Sequence, residues 1–145
     1  MTEIAFHVHV PDKLAYSCRL LRKAYLSGAK ITVTGEPGLL SELDQLLWRF
    51  SAAEFLPHCH AGAARGPLAA TPILLADSLA ASQQSDVLVN IGQAVPAEFE
   101  RFGRFIEVVA LASSDAAAGR GRWKHYAARG YALTKHEHVP PEATP

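Results

Sequence analysis

Cysteine is scarce in this chain of 145 residues: Cys18 and Cys59 are the two present, too few for a disulfide framework. A reducing compartment fits this, with Cys18 expected as a small buried apolar residue in a helix and Cys59 in a loop. No run of about eighteen apolar residues occurs, and Met1-Thr2-Glu3-Ile4-Ala5-Phe6 shows no basic region leading into an apolar one. No membrane span or secretion signal is expected, and a cytoplasmic location is. Neither sign of charge is in excess, since fourteen Lys plus Arg balance fourteen Asp plus Glu. Without a global positive field, unspecific binding to a phosphate backbone is not expected.

The signatures of catalysis are missing as well. No Gly-x-Ser-x-Gly elbow occurs, and neither cysteine sits in a nucleophile motif. Acidic residues are too scattered for a paired-carboxylate hydrolase. A phosphate-cradling loop needs glycines between strand and helix, but the first strand is followed by Val10-Pro11-Asp12. The second is followed by Gly35-Glu36-Pro37-Gly38, where Glu36 would repel phosphate. Among the histidines, His7 and His9 are expected on one side of the first strand, as the polar face of an edge or partly covered strand, while His58 and His60 flank Cys59. None of these has the paired spacing of a structural zinc site. No catalytic residue, metal ligand or cofactor site is assigned.

What is present is a regular alternation of elements. Ile4, Phe6, Val8 and Val10 alternate with Glu3, Ala5, His7 and His9 as in a strand. Leu14, Ala15, Cys18, Leu21, Tyr25 and Leu26 recur at helical spacing after Asp12, and Ser27-Gly28 closes the run. A short β-branched strand over 30–34 and a leucine-rich helix from Leu39 to Leu47 follow. Further on, strands are expected at Pro72–Ala76 and Val87–Ile91, both central because continuous apolar runs suit burial on two faces. A short helix over 97–102, a strand over 105–111, a helix over 114–129 and a last short strand over 131–135 complete the series. Such alternation predicts a single Rossmann-like α/β domain over residues 1–135, its sheet mostly parallel or mixed and flanked by helices. Residues 136–145, with three prolines, are expected to form a disordered tail.

Two segments stand out. Between Trp48 and Thr71 periodicity fails, and loops of that length in compact domains are often functional. In Gly119-Arg120-Gly121-Arg122-Trp123-Lys124-His125-Tyr126-Ala127-Ala128-Arg129-Gly130-Tyr131, helical spacing puts Arg120, Trp123 and Lys124 on one face, with Ala127 completing the stripe. Cations beside a large apolar surface suit an acidic peptide ending in an aromatic residue or a free carboxylate. The competing reading makes Trp123 a core residue and the cations a solvated helix end favoured by the dipole.

The block Leu46-Leu47-Trp48-Arg49-Phe50-Ser51-Ala52-Ala53-Glu54-Phe55-Leu56-Pro57-His58 with Ala61-Gly62 closely resembles a characteristic block of the chi subunit of the DNA polymerase III holoenzyme. The remaining elements fall in that family's order over roughly residues 3 to 133. The resemblance implies a small non-catalytic α/β protein of the replisome. Such a protein joins the psi subunit of the clamp-loader complex to single-stranded DNA-binding protein, whose acidic C-terminal tail it grips. Carried over, the tail-binding residues are Arg120, Trp123 and Lys124. A further basic residue implied about two turns earlier is replaced by Ala116 to Ala118, which implies a weaker grip. Trp48 and Phe50 are a candidate surface for psi or anchors of the following loop, and Phe55 is expected in the core. The alternative function is a nucleotide- or metal-dependent small enzyme using residues 48–71.

Overall fold

The computed structural model describes residues 2–50, 58–60, 73–77, 79 and 86–137. Strand β1 (Glu3–Val10) leads into helix α1 (Lys13–Leu26), then strand β2 (Ile31–Thr34) and helix α2 (Pro37–Phe50). After them come the short strands β3 (His58–His60), β4 (Ile73–Leu75) and β5 (Val87–Asn90), and a 3-10 turn at Phe99–Arg101. Strand β6 (Arg104–Ala110), helix α3 (Ser113–Ala128) and strand β7 (Leu133–Glu137) close the series. The strands form one sheet in the order β3-β4-β2-β5-β6-β1-β7, and every pairing is parallel. The expected Rossmann-like α/β domain is therefore realised, with a wholly parallel sheet.

Alternation along the strands divides the core into two layers. Ile31, Val33, Val87, Val89, Ile106 and Val108 face α1 and α2, where Cys18, Leu21, Leu40, Leu43 and Leu47 meet them. Ile4, Phe6, Leu88, Phe105 and Val109 face the opposite way, toward Tyr126 of α3 and the 3-10 turn's Phe99. The β1–α1–β2 connection passes β6 and β5 on one face, whereas β6–α3–β7 passes β1 on the other and runs in the opposite direction along the sheet. Reversing both face and direction preserves the hand, so the two crossovers share one chirality, as twisted parallel sheets require. Burial pushes the Cys18 thiol up to about 11, in keeping with a small, inert core residue.

Several local expectations are corrected. His9 adopts φ 60°, and the pairing of β1 with β6 slips between His7 and Val10. This bulge reverses the alternation, so Val10 joins the α1 and α2 layer instead of the layer of Ile4 and Phe6. It also separates the two histidines. His7 turns toward α1, where its Nδ1 meets the Tyr16 hydroxyl, and His9 borders the α3 face. Burial, then His136, Arg104 and Lys23, lower the His7 pKa to about 4, so the ring is neutral and can accept from Tyr16.

The helix expected over 97–102 is a single 3-10 turn, entered through Glu98 at φ 68°, which breaks helical propagation. Cys59 belongs to β3 instead of a loop; that strand is too short for its periodicity to show. Of the two strands expected to be central, β5 is, while β4 lies one place from the edge beside β3. Both are buried throughout. Strand β7 continues through His136 and Glu137, two residues beyond the expected domain boundary, and residues 138–145 lie outside the described residues, as does Phe55.

Candidate functional site

Helix α3 buries an unusual set of residues: Asp115, Gly119, Arg122 and Tyr126, spaced four, three and four apart along one face. Each has a specific partner. Asp115 accepts from the Ala110 amide at 2.7 Å, Lys13 Nζ at 2.9 Å and Gln93 at 3.3 Å. Burial works against this carboxylate, but those donors hold it below the ordinary aspartate range. Arg122 Nε donates to Glu107 of β6 at 3.0 Å, Tyr126 donates to the same carboxylate at 2.6 Å, and Asn90 of β5 adds a third bond at 3.0 Å. Burial still raises the Glu107 pKa despite its cation and hydrogen bonds, and the Tyr126 phenol is pushed up by burial and by Glu107.

With that face committed to the sheet, Arg120 and Lys124 stand exposed and Trp123 is half-buried. Gly119 lets the helix come close: a Cβ there would lie 2.8 Å from one methyl of Val109. Beside it opens a groove of about 530 Å³ whose floor includes Phe6, Val8 and Val109, with Trp123 stacked edge-on against Phe6 at 5.1 Å between ring centres. Arg120, Trp123 and Lys124 form one wall and Ala116 lies in it, where a longer side chain would supply a further charge. The opposite side carries His9 and Lys135. Because Phe6 pairs with Lys135 and Val8 with Glu137, these side chains share the α3 face of the sheet.

Though the chain is neutral overall, the described residues that line the groove include three cations, one histidine and no carboxylate. An apolar floor between cations suits a peptide that offers both acidic groups and a large apolar side chain. The sequence-predicted trio is thus brought together on one wall. Trp48 is not part of it: it is 57% exposed on α2, on the opposite layer of the sheet, and the side chain of Phe50 lies outside the described residues.

The place where a doubly wound sheet takes a nucleotide is the carboxyl edge where neighbouring strands send their connections to opposite faces. Here that condition is met between β1 and β6, where Lys13 and Asp115 pair at 2.9 Å, and a further such edge lies between β2 and β5. The latter is closed by its own backbone: a Cβ on Gly92 would stand 2.9 Å from the Gly35 Cα and 2.4 Å from Glu36 Oε2. That Glu36 oxygen accepts the Gln93 amide at 3.2 Å, occupying a donor that a phosphate would need. Most of residues 48–71, the seat of the alternative enzymatic reading, lies outside the described residues.

Residues 1–134 match the model of the family described as DNA polymerase III chi subunit, HolC. The chain belongs to the DNA polymerase III chi subunit family. A curated relative, DNA polymerase III subunit chi of Pseudomonas aeruginosa, is 29% identical over 142 residues, covering 94% of this chain and 96% of the relative. Membership in the chi family assigns the chain to DNA replication, in agreement with the resemblance carried by the Trp48 block. No helix among the described residues is long and apolar enough to cross a membrane.

Within this chi-family chain, sequence reasoning missed the second half of the groove. Lys135 stands alone in a short strand, and simple alternation pairs His9 with His7. Their approach to α3 depends on β7 lying next to β1 and on the bulge at His9, neither of which leaves a local signal.

Proposed function

We propose that this chi-family protein is a non-catalytic adaptor of the clamp-loader complex that holds the acidic C-terminal tail of single-stranded DNA-binding protein in the α3 groove. The observation that carries this reading is the lining: an apolar floor, Trp123 as a wall, and cations with no carboxylate among the described lining residues. Arg120 pairs with the terminal carboxylate or an aspartate of the tail, and Trp123 walls the pocket for its terminal aromatic side chain. Exposed Trp48 and neighbouring Phe50, on the opposite layer, are the proposed surface for the psi subunit. The protein then acts in the cytoplasm as part of the replisome, without sequence-specific contact to nucleic acid.

Titration of a tail peptide tests the site. Charge-assisted hydrogen bonds contribute roughly 1.5–3 kcal/mol, and roughly 1.4 kcal/mol is tenfold in affinity. Arg120→Ala is therefore expected to weaken binding by about one to two orders of magnitude. Lys124→Ala should weaken it less, because an ammonium is a point charge without Arg's bidentate fork. Affinity should fall as salt rises past roughly 0.1 M, where exposed charges are screened over about 10 Å. Arg19→Ala, exposed on α1 across the sheet, is the control; equal affinities for wild type, Arg120→Ala and Arg19→Ala would refute the site.

A further inference from the structure

A carboxylate lies just outside the groove lining, beside its strand side. Glu137 Oε1 lies 3.7 Å from His9 Nδ1 and 3.5 Å from Lys135 Nζ. Lys135 and Glu137 are two apart on β7, and their β1 partners are Phe6 and Val8 of the groove floor, so this acid sits on the binding side of the sheet. All three side chains are about half exposed, at 55% for His9 and Lys135 and 51% for Glu137. Ion pairs so open to solvent are weak and exchange partners readily.

We infer that His9 and Lys135 form a second carboxylate subsite, across the groove from Arg120 and Lys124, which Glu137 fills from within the chain until an acidic peptide displaces it. The inference deepens the tail-binding reading and rests on it. Two cationic walls then face each other across the apolar floor. A peptide with acidic groups on both sides of its apolar anchor engages both walls, whereas one with a single terminal carboxylate engages only the α3 wall. Glu137 sets the threshold. A ligand with too few carboxylates does not displace it, and it keeps Lys135 and His9 oriented while the groove is empty.

The test is a fluorescence-anisotropy titration with two synthetic peptides that share a C-terminal aromatic residue, one carrying several aspartates upstream and the other serines in their place. Wild type, Glu137→Gln, Lys135→Ala, the double variant and Arg120→Ala are compared. Removing one exposed pair changes affinity by roughly two- to fivefold. Glu137→Gln is expected to tighten the aspartate peptide by about that factor, and Lys135→Ala to weaken it by about as much. The gain from Glu137→Gln should shrink in the Lys135→Ala background, and the serine peptide should respond little to either change. If Arg120→Ala weakens binding while Glu137→Gln and Lys135→Ala leave it unchanged, the second subsite is refuted and the α3 site stands. If wild type binds neither peptide, or Arg120→Ala has no effect, both readings fall.

Discussion

Arg120 and Arg122 stand two positions apart on α3 and have opposite roles. Arg120 is exposed on the groove wall. Arg122 is 3% exposed, with Nε on Glu107 and Nη1 on the Gln93 carbonyl at 2.9 Å. Among the described residues its Nη2 is buried without a hydrogen-bond partner. Removing one member of a buried ion pair leaves the other uncompensated, at about 3–5 kcal/mol. Arg122→Met is expected to lower unfolding stability by about that amount in urea titration. Replacing both Arg122 and Glu107 by apolar residues should recover a large part of the loss, because the stranded charge is then gone. A single variant as stable as wild type would mean that this pair does not organise the interior.

At the scale of an element, α3 is held by close approach as much as by apolar burial. Gly119 and Gly121 report opposite sides of it. A Cβ at 119 would press on both methyls of Val109, at 2.8 and 2.9 Å, whereas one at 121 meets nothing within 4 Å. Overpacking against a stiff β-branched side chain costs about 1–3 kcal/mol, and alanine's helix preference returns about 1 kcal/mol. Gly119→Ala is therefore expected to destabilise by up to about 2 kcal/mol and to disturb the adjoining groove. Gly121→Ala should stabilise by about 0.5–1 kcal/mol and leave peptide affinity unchanged. Equal shifts in the urea midpoint for the two variants would contradict the observed packing.

For the whole molecule, the sheet separates two surfaces. The groove lies on the α3 face and Trp48 on α2 behind the other. Changes at distant sites without shared partners add independently. Arg120→Ala should thus weaken the tail peptide while leaving capture of psi intact, and Trp48→Ala should do the reverse. Calorimetry against each partner, alone and in the presence of the other, checks this. Loss of both interactions in either single variant would place the two partners on one surface.

Local chemistry in the sequence determined the class of fold, because short β-branched and apolar runs alternating with amphipathic stretches leave a parallel α/β sheet as the consistent arrangement. It also marked Arg120, Trp123 and Lys124, since helical spacing alone puts them on one wall. It could not assign the burial of α3, whose inward face is Asp115, Gly119, Arg122 and Tyr126 and so carries no hydrophobic period. Nor could it place Val10, His9 and Lys135. A bulge decides which way the first two point, and the third reaches the groove because the last strand returns beside the first. Those decisions belong to the tertiary structure: a polar residue's place is set by the partner that satisfies it, and here the partners come from other elements, 15 residues away for Arg122 and Glu107 and 102 for Lys13 and Asp115.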